Sequence, residues 1–73
     1  MNEHIEIVVN GECRRVPAGF TAAQLVESLG LAGRRIAMEV NGEIVPRSTY
    51  PRHRFQPGDR VEVVQAIGGG EGV

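Results

Sequence analysis

The eleven residues FTAAQLVESLG, Phe20 to Gly30, decide the fold class. Thr21 and Gln24 have the spacing of a capping box, in which each side chain accepts a hydrogen bond from the other's exposed backbone N–H. Phe20 before the cap and Leu25 after it have the spacing of a hydrophobic staple. Leu25, Val26 and Leu29 share one apolar face. Gly30 stands where a left-handed residue ends a helix, and Leu31 is placed to fold back on the last turn. These signals predict a helix over residues 22–29. So short a helix is unstable alone and must lay its apolar face on a sheet.

The sheet is legible on both sides of it. Upstream, HIEIVV (4–9) is β-branched and partly alternating, which predicts a strand. Asn10-Gly11 follows, and Asn-Gly is the strongest short hairpin signal because both residues tolerate positive φ. ECRRV (12–16) returns antiparallel and is stopped at Pro17. Downstream, RIAMEV (35–40) alternates, with Ile36, Met38 and Val40 on one side. Asn41-Gly42 repeats the hairpin signal, and Glu43 to Val45 is a short return ended by Pro46. Residues 47–58 read as a polar connection with one apolar anchor, Phe55, closed by the turn at Pro57-Gly58-Asp59. RVEVVQAI (60–67) is a last strand with Val61, Val63 and Ile67 on one face. GGGEGV (68–73) has no pattern that holds regular structure. The expected architecture is α+β in two layers: a mixed sheet of four to five strands with one main helix on one face. The reading makes residues 1–67 a single domain and residues 68–73 a flexible Gly-rich tail.

Composition narrows the function. At 73 residues the chain makes one domain that buries only about 60% of its unfolded surface, with no deep pocket between lobes. Eight basic and nine acidic residues give a net charge of −1, which argues against a general nucleic-acid or membrane-surface binder. All eight basic residues are Arg. The single Cys13 excludes an internal disulfide and a Cys-rich zinc site. The first residues lack the basic and apolar regions of a targeting peptide, and no stretch approaches a membrane span, so the expected location is the cytoplasm.

Motifs for catalysis are absent. There is no phosphate-binding loop or dinucleotide fingerprint. His4 and His53 are not at metal-ligand spacing, so no metal site is expected. Cys13 reads as a small side chain on an edge strand, His4 as a strand end and His53 as an exposed loop residue. Arg47, Arg52, His53 and Arg54, with Tyr50 and Phe55 interleaved, have the composition of an RNA-stacking patch. The even net charge favours a solvated loop or a rim meeting an acidic partner. The tail has two readings: a linker or frayed terminus, or a swinging arm. Extended, its six residues reach about 20 Å at roughly 3.3 Å each, and Gly backbone threads narrow channels. Its position directly after the last strand favours the arm.

Taken in order, EVNGEIVPRS, PGDRVEVV and QAIGGG resemble the ThiS family of thiamin-biosynthesis sulfur carriers, within the ubiquitin-like β-grasp proteins. The likeness spans about residues 5–70. No single motif is specific, but their order, spacing and total length are. The resemblance implies a carrier and not an enzyme. A C-terminal carboxylate is ionised at pH 7 and is a poor electrophile. The family's terminal Gly is adenylated by a ThiF-like adenylyltransferase that uses ATP and Mg, while the carrier binds no cofactor itself. A sulfur donor such as a cysteine desulfurase then supplies a thiocarboxylate, which passes to a ThiG-like thiazole synthase. Gly69-Gly70 match the terminal pair, so Gly70 is the implied reactive residue and Gly68, Gly69 and Gly70 the arm. Val61, Val63, Ala66 and Ile67 are candidate partner-docking positions. The family usually ends at the Gly pair, whereas Glu71-Gly72-Val73 follow here, which implies trimming by a processing protease. The alternatives are a carrier for molybdopterin, cysteine or a secondary metabolite, and a β-grasp interaction module that carries nothing.

Overall fold

The computed structural model describes residues 3–65. Five strands form one mixed sheet: β1 (His4–Val9), β2 (Glu12–Pro17), β3 (Ile36–Val40), β4 (Glu43–Ile44) and β5 (Arg60–Gln65). Their order is β2-β1-β5-β3-β4. β5 lies at the centre, parallel to β1 and antiparallel to β3. The outer pairs β1–β2 and β3–β4 are antiparallel hairpins. Both hairpins turn on Asn-Gly as the sequence predicts. Asn10 and Gly11 have φ of 51° and 84°, and Asn41 and Gly42 have 54° and 84°. Positive φ at both central positions is what a type I′ turn demands, and its twist matches that of the flanking strands.

Helix α1 (Ala22–Ser28) has both ends secured locally. The Gln24 N–H donates to Thr21 Oγ1 at 3.2 Å, and the Thr21 N–H donates to Gln24 Oε1 at 2.9 Å. At the other end Gly30 adopts φ +74°. Its N–H donates to the Glu27 carbonyl, and the Leu31 N–H donates to the Val26 carbonyl, both at 3.0 Å. Those are the paired bonds of a Schellman stop, which satisfy carbonyls that the helix leaves open.

The core lies between α1 and one face of the sheet. Ile7 and Val9 of β1, Val16 of β2, Met38 and Val40 of β3 and Val61 and Val63 of β5 meet Ala22, Leu25 and Val26 of α1. Alternation along each strand sends the intervening residues to the opposite, uncovered face.

The connection after β4 is more structured than the sequence suggests. Arg47–Arg52 form a 3₁₀ helix, with Thr49 Oγ1 donating to the Pro46 carbonyl at 2.8 Å. Tyr50 is buried, so the connection has two apolar anchors, Tyr50 and Phe55, where the sequence showed one. One aromatic between Thr49 and Pro51 has no period that would reveal its burial. The connection then pins the helix start: the Ala22 N–H donates to the His53 carbonyl at 2.9 Å and the Phe55 N–H to the Phe20 carbonyl at 3.1 Å.

Candidate functional site

The strand that leads into the C-terminal segment is β5, and the sheet grips it on both sides. On the β1 side the Val8 N–H donates to the Asp59 carbonyl and the Asn10 N–H to the Val61 carbonyl, each at 2.9 Å. On the β3 side the register runs from Val40 opposite Val61 to Ile36 opposite Gln65. Both turn asparagines reach it as well. The Val63 N–H donates to Asn10 Oδ1 at 2.9 Å while Asn10 Nδ2 donates to the Val63 carbonyl at 3.1 Å. The Arg60 N–H donates to Asn41 Oδ1 at 3.0 Å, and Asn41 Nδ2 donates to Asp59 Oδ1 at 3.0 Å. The sequence marked both residues as turn formers. It carried no sign of these contacts, which in the case of Asn10 span 53 positions.

Two of the four candidate docking positions are corrected by this geometry. Val61 is 1% exposed and Val63 6%, and both face α1. They are core residues and present nothing to a partner. The surface that β5 offers is the other one. Val64 is 59% exposed and sits opposite the exposed Ala37, and Ile44 at the sheet edge is 64% exposed. Glu62 faces Glu39 across the same open face. Like charges directly opposite destabilise a sheet, so this face is not built for self-stability alone. Ala66, Ile67, Gly68, Gly69 and Gly70 lie outside the described residues.

The remaining candidates separate. Cys13 is an exposed thiol on the edge strand β2. It sits opposite Val8, whereas His4 lies opposite Pro17. Four ladder positions, about 13 Å at roughly 3.3 Å each, part the two side chains, so they form no nucleophile–base pair. His53 is half-buried, not exposed, and packs edge-on against Phe55 with centroids 5.4 Å apart. Tyr50 and Phe55 are inside, so no aromatic platform stands among Arg47, Arg52 and Arg54 for bases to stack on. Burial raises the Tyr50 pKa, and the nearby Arg47 partly offsets that. The Arg47 guanidinium donates to the Arg34 carbonyl at 2.9 Å. Among the described residues no cluster of His, Cys, Asp and Glu is arranged to hold a metal. No helix among them is long and apolar enough to cross a membrane. An open cleft of about 540 Å³, lined in part by Val40, Ile44, Thr49, His53 and Arg54, lies beside the start of β5, away from its C-terminal end.

Among the described residues, one α-helix held across a mixed sheet of order β2-β1-β5-β3-β4, with the central strand parallel to β1 and followed in sequence by a Gly-rich terminus, defines a ubiquitin-like β-grasp protein. The model of the ThiS family matches residues 7–70, and the chain belongs to that family. It is 33% identical over 66 residues to the sulfur carrier protein ThiS of Escherichia coli, covering 90% of this chain and all of that one. The crystal structure of a thiamine biosynthesis protein, ThiS, from Geobacter metallireducens superimposes with a TM-score of 0.73 at 28% identity, over 90% of this chain and all of the other. The chain is also 42% identical over 66 residues to a thiazole synthase of Paramagnetospirillum magneticum, and 40% over 67 residues to one of Magnetococcus marinus. It spans only 20% and 21% of the length of those two proteins.

Proposed function

We propose that this chain is a sulfur carrier that serves formation of the thiazole moiety of thiamin. The observation that carries the reading is the end-to-end similarity to the Escherichia coli sulfur carrier protein ThiS. The two thiazole synthases whose sequences contain a region similar to this chain support thiazole synthase as the acceptor.

The chemistry follows from the terminal carboxylate. Residues 71–73 are first removed by a protease, so that the carboxylate stands on Gly70, where no side chain crowds the acyl carbon. A ThiF-like adenylyltransferase, using ATP and Mg, lets a carboxylate oxygen attack the α-phosphorus, and pyrophosphate leaves. The acyl-adenylate has a good leaving group where the carboxylate had none. The persulfide of a donor such as a cysteine desulfurase attacks the acyl carbon through its terminal sulfur, and AMP departs with one of the original oxygens. A thiol reductant then attacks the donor's sulfur in the resulting acyl disulfide, forms a new disulfide with it and releases the thiocarboxylate. The resulting Gly70 thiocarboxylate delivers sulfur to thiazole synthase. The carrier supplies no general acid or base. It supplies reach and a docking face, for which Val64, Ala37 and Ile44 on the open sheet are the exposed apolar candidates.

Incubation of the chain ending at Gly70 with ATP, the adenylyltransferase and a sulfur donor tests this directly. The expected product is a chain ending at Gly70 whose mass has changed by one exchange of oxygen for sulfur. Protein from the native host that is full-length, with the thiocarboxylate on Val73, would refute the trimming step. Absence of any adenylate or thiocarboxylate would refute the carrier role.

A further inference from the structure

We infer that Asn10 is a positioning residue that secures the C-terminal half of β5 and so orients the segment that follows it; its bearing on sulfur transfer rests on the carrier reading above. β1 ends at Val9, before β5 does. On that side of β5 the backbone pairing ends with the Asn10 N–H on the Val61 carbonyl. The next N–H and carbonyl facing β1 belong to Val63, and no strand backbone is left to meet them. The Asn10 side-chain amide does so instead, accepting at 2.9 Å and donating at 3.1 Å. One amide thus acts as one further peptide unit of β1, and it carries the grip to within two residues of Gln65, the last described position.

The residue type is set by two demands at once. The turn requires positive φ, which Asn10 has at 51° and which Gly and Asp also tolerate. The clamp requires a donor and an acceptor on one short side chain. Gly has neither, and an ionised Asp only accepts. Asn meets both. Asn41 offers an internal comparison, since it has the same turn, nearly the same φ of 54°, and a side chain that engages Arg60 at the opposite end of β5. Loss of either clamp loosens β5, but only Asn10 is at the end from which the tail departs.

Asn10→Gly and Asn41→Gly separate positioning from stability, because Gly keeps the turn and deletes the amide. Asn10→Asp, which keeps the acceptor, is the fallback where Asn10→Gly does not fold. Amide exchange in the folded state should speed at Val63, whose N–H the Asn10 side chain holds, by about tenfold or more in Asn10→Gly, and not in Asn41→Gly. With protein recovered from the native host, so that any processing is complete, kcat for adenylation should fall by about five- to tenfold in Asn10→Gly, because fewer docked tails reach the ATP in register. KM, set by the docking face, should stay within about twofold, and Asn41→Gly should leave both constants within that range. Unchanged exchange at Val63, or an equal fall in kcat in the two Gly variants, overturns the inference. A wild-type protein that is never adenylated defeats the carrier reading, and the exchange comparison still decides whether Asn10 secures the C-terminal half of β5.

Discussion

Leu25 is fully buried in a helix of seven residues, and it is the largest side chain that the helix buries completely. Leu25→Ala removes transfer energy and leaves a cavity, at a cost of about 2–5 kcal/mol. A chain of this length has roughly 4–11 kcal/mol of stability in total, so a large drop in thermal midpoint is expected, with outright unfolding near the upper figure. Thr21→Ala deletes only the cap acceptor and should cost about 1 kcal/mol, read by urea denaturation. Tyr50 gives a pH signature. Its pKa in the folded protein is raised above the ordinary 10.0, first by burial. The unfolded chain therefore releases this proton first as pH rises, and binds fewer protons than the native state. Stability from this group is full below pH 10 and declines through and above it. Denaturation between pH 9 and 11 should show that decline, and Tyr50→Phe should flatten it.

At the scale of elements, β5 shows what alternation means for function. Its odd positions, Val61 and Val63, belong to the core, and its even positions, Arg60, Glu62 and Val64, to the open face. Val63→Glu buries a charge without a partner and should abolish folding. Val64→Glu, one residue on, should leave stability within about 0.5 kcal/mol while weakening productive encounter with the adenylyltransferase. Equal activity in Val64→Glu and wild type would remove this face from the docking surface. Glu62→Gln relieves the repulsion from Glu39 and should stabilise the sheet by about 0.2–1 kcal/mol, measured by thermal denaturation. The edge strand β2 carries a different device. Arg14 lies opposite Ile7 on the helix side, with its Nε buried. An inward-pointing charge on an edge strand discourages pairing with another chain.

Among the described residues, the sheet and α1 close a complete buried core. Every member of the buried cluster among the described residues lies between Ile7 and Val63. Deletion of residues 68–73 should therefore leave the thermal midpoint unchanged and abolish adenylation. A variant that keeps its biological function after that deletion would be an interaction module instead of a carrier. The short length and balanced charge that limited the functional classes fit the same division, with a compact core and chemistry assigned to the terminus.

The sequence by itself determined what neighbouring residues settle between themselves. Thr21 and Gln24 make the helix start, Gly30 and Leu31 its stop, and each Asn-Gly its hairpin, because φ, capping and turn geometry act over two to six positions. Alternation sorted Ile36, Met38 and Val40 correctly toward the core, and the order and spacing of EVNGEIVPRS, PGDRVEVV and QAIGGG pointed to the family. Tertiary structure alone decided the rest. That β5 lies between β1 and β3 brings residues some fifty positions apart into register, and no local pattern encodes that partner choice. The burial of Tyr50 depends on a 3₁₀ helix packed beside α1. Val61 and Val63 became core and Val64 surface only once α1 had covered one face of the sheet. Asn10 looked like a turn residue because its second role, on the backbone of Val63, exists only where β1 stops short of its neighbour.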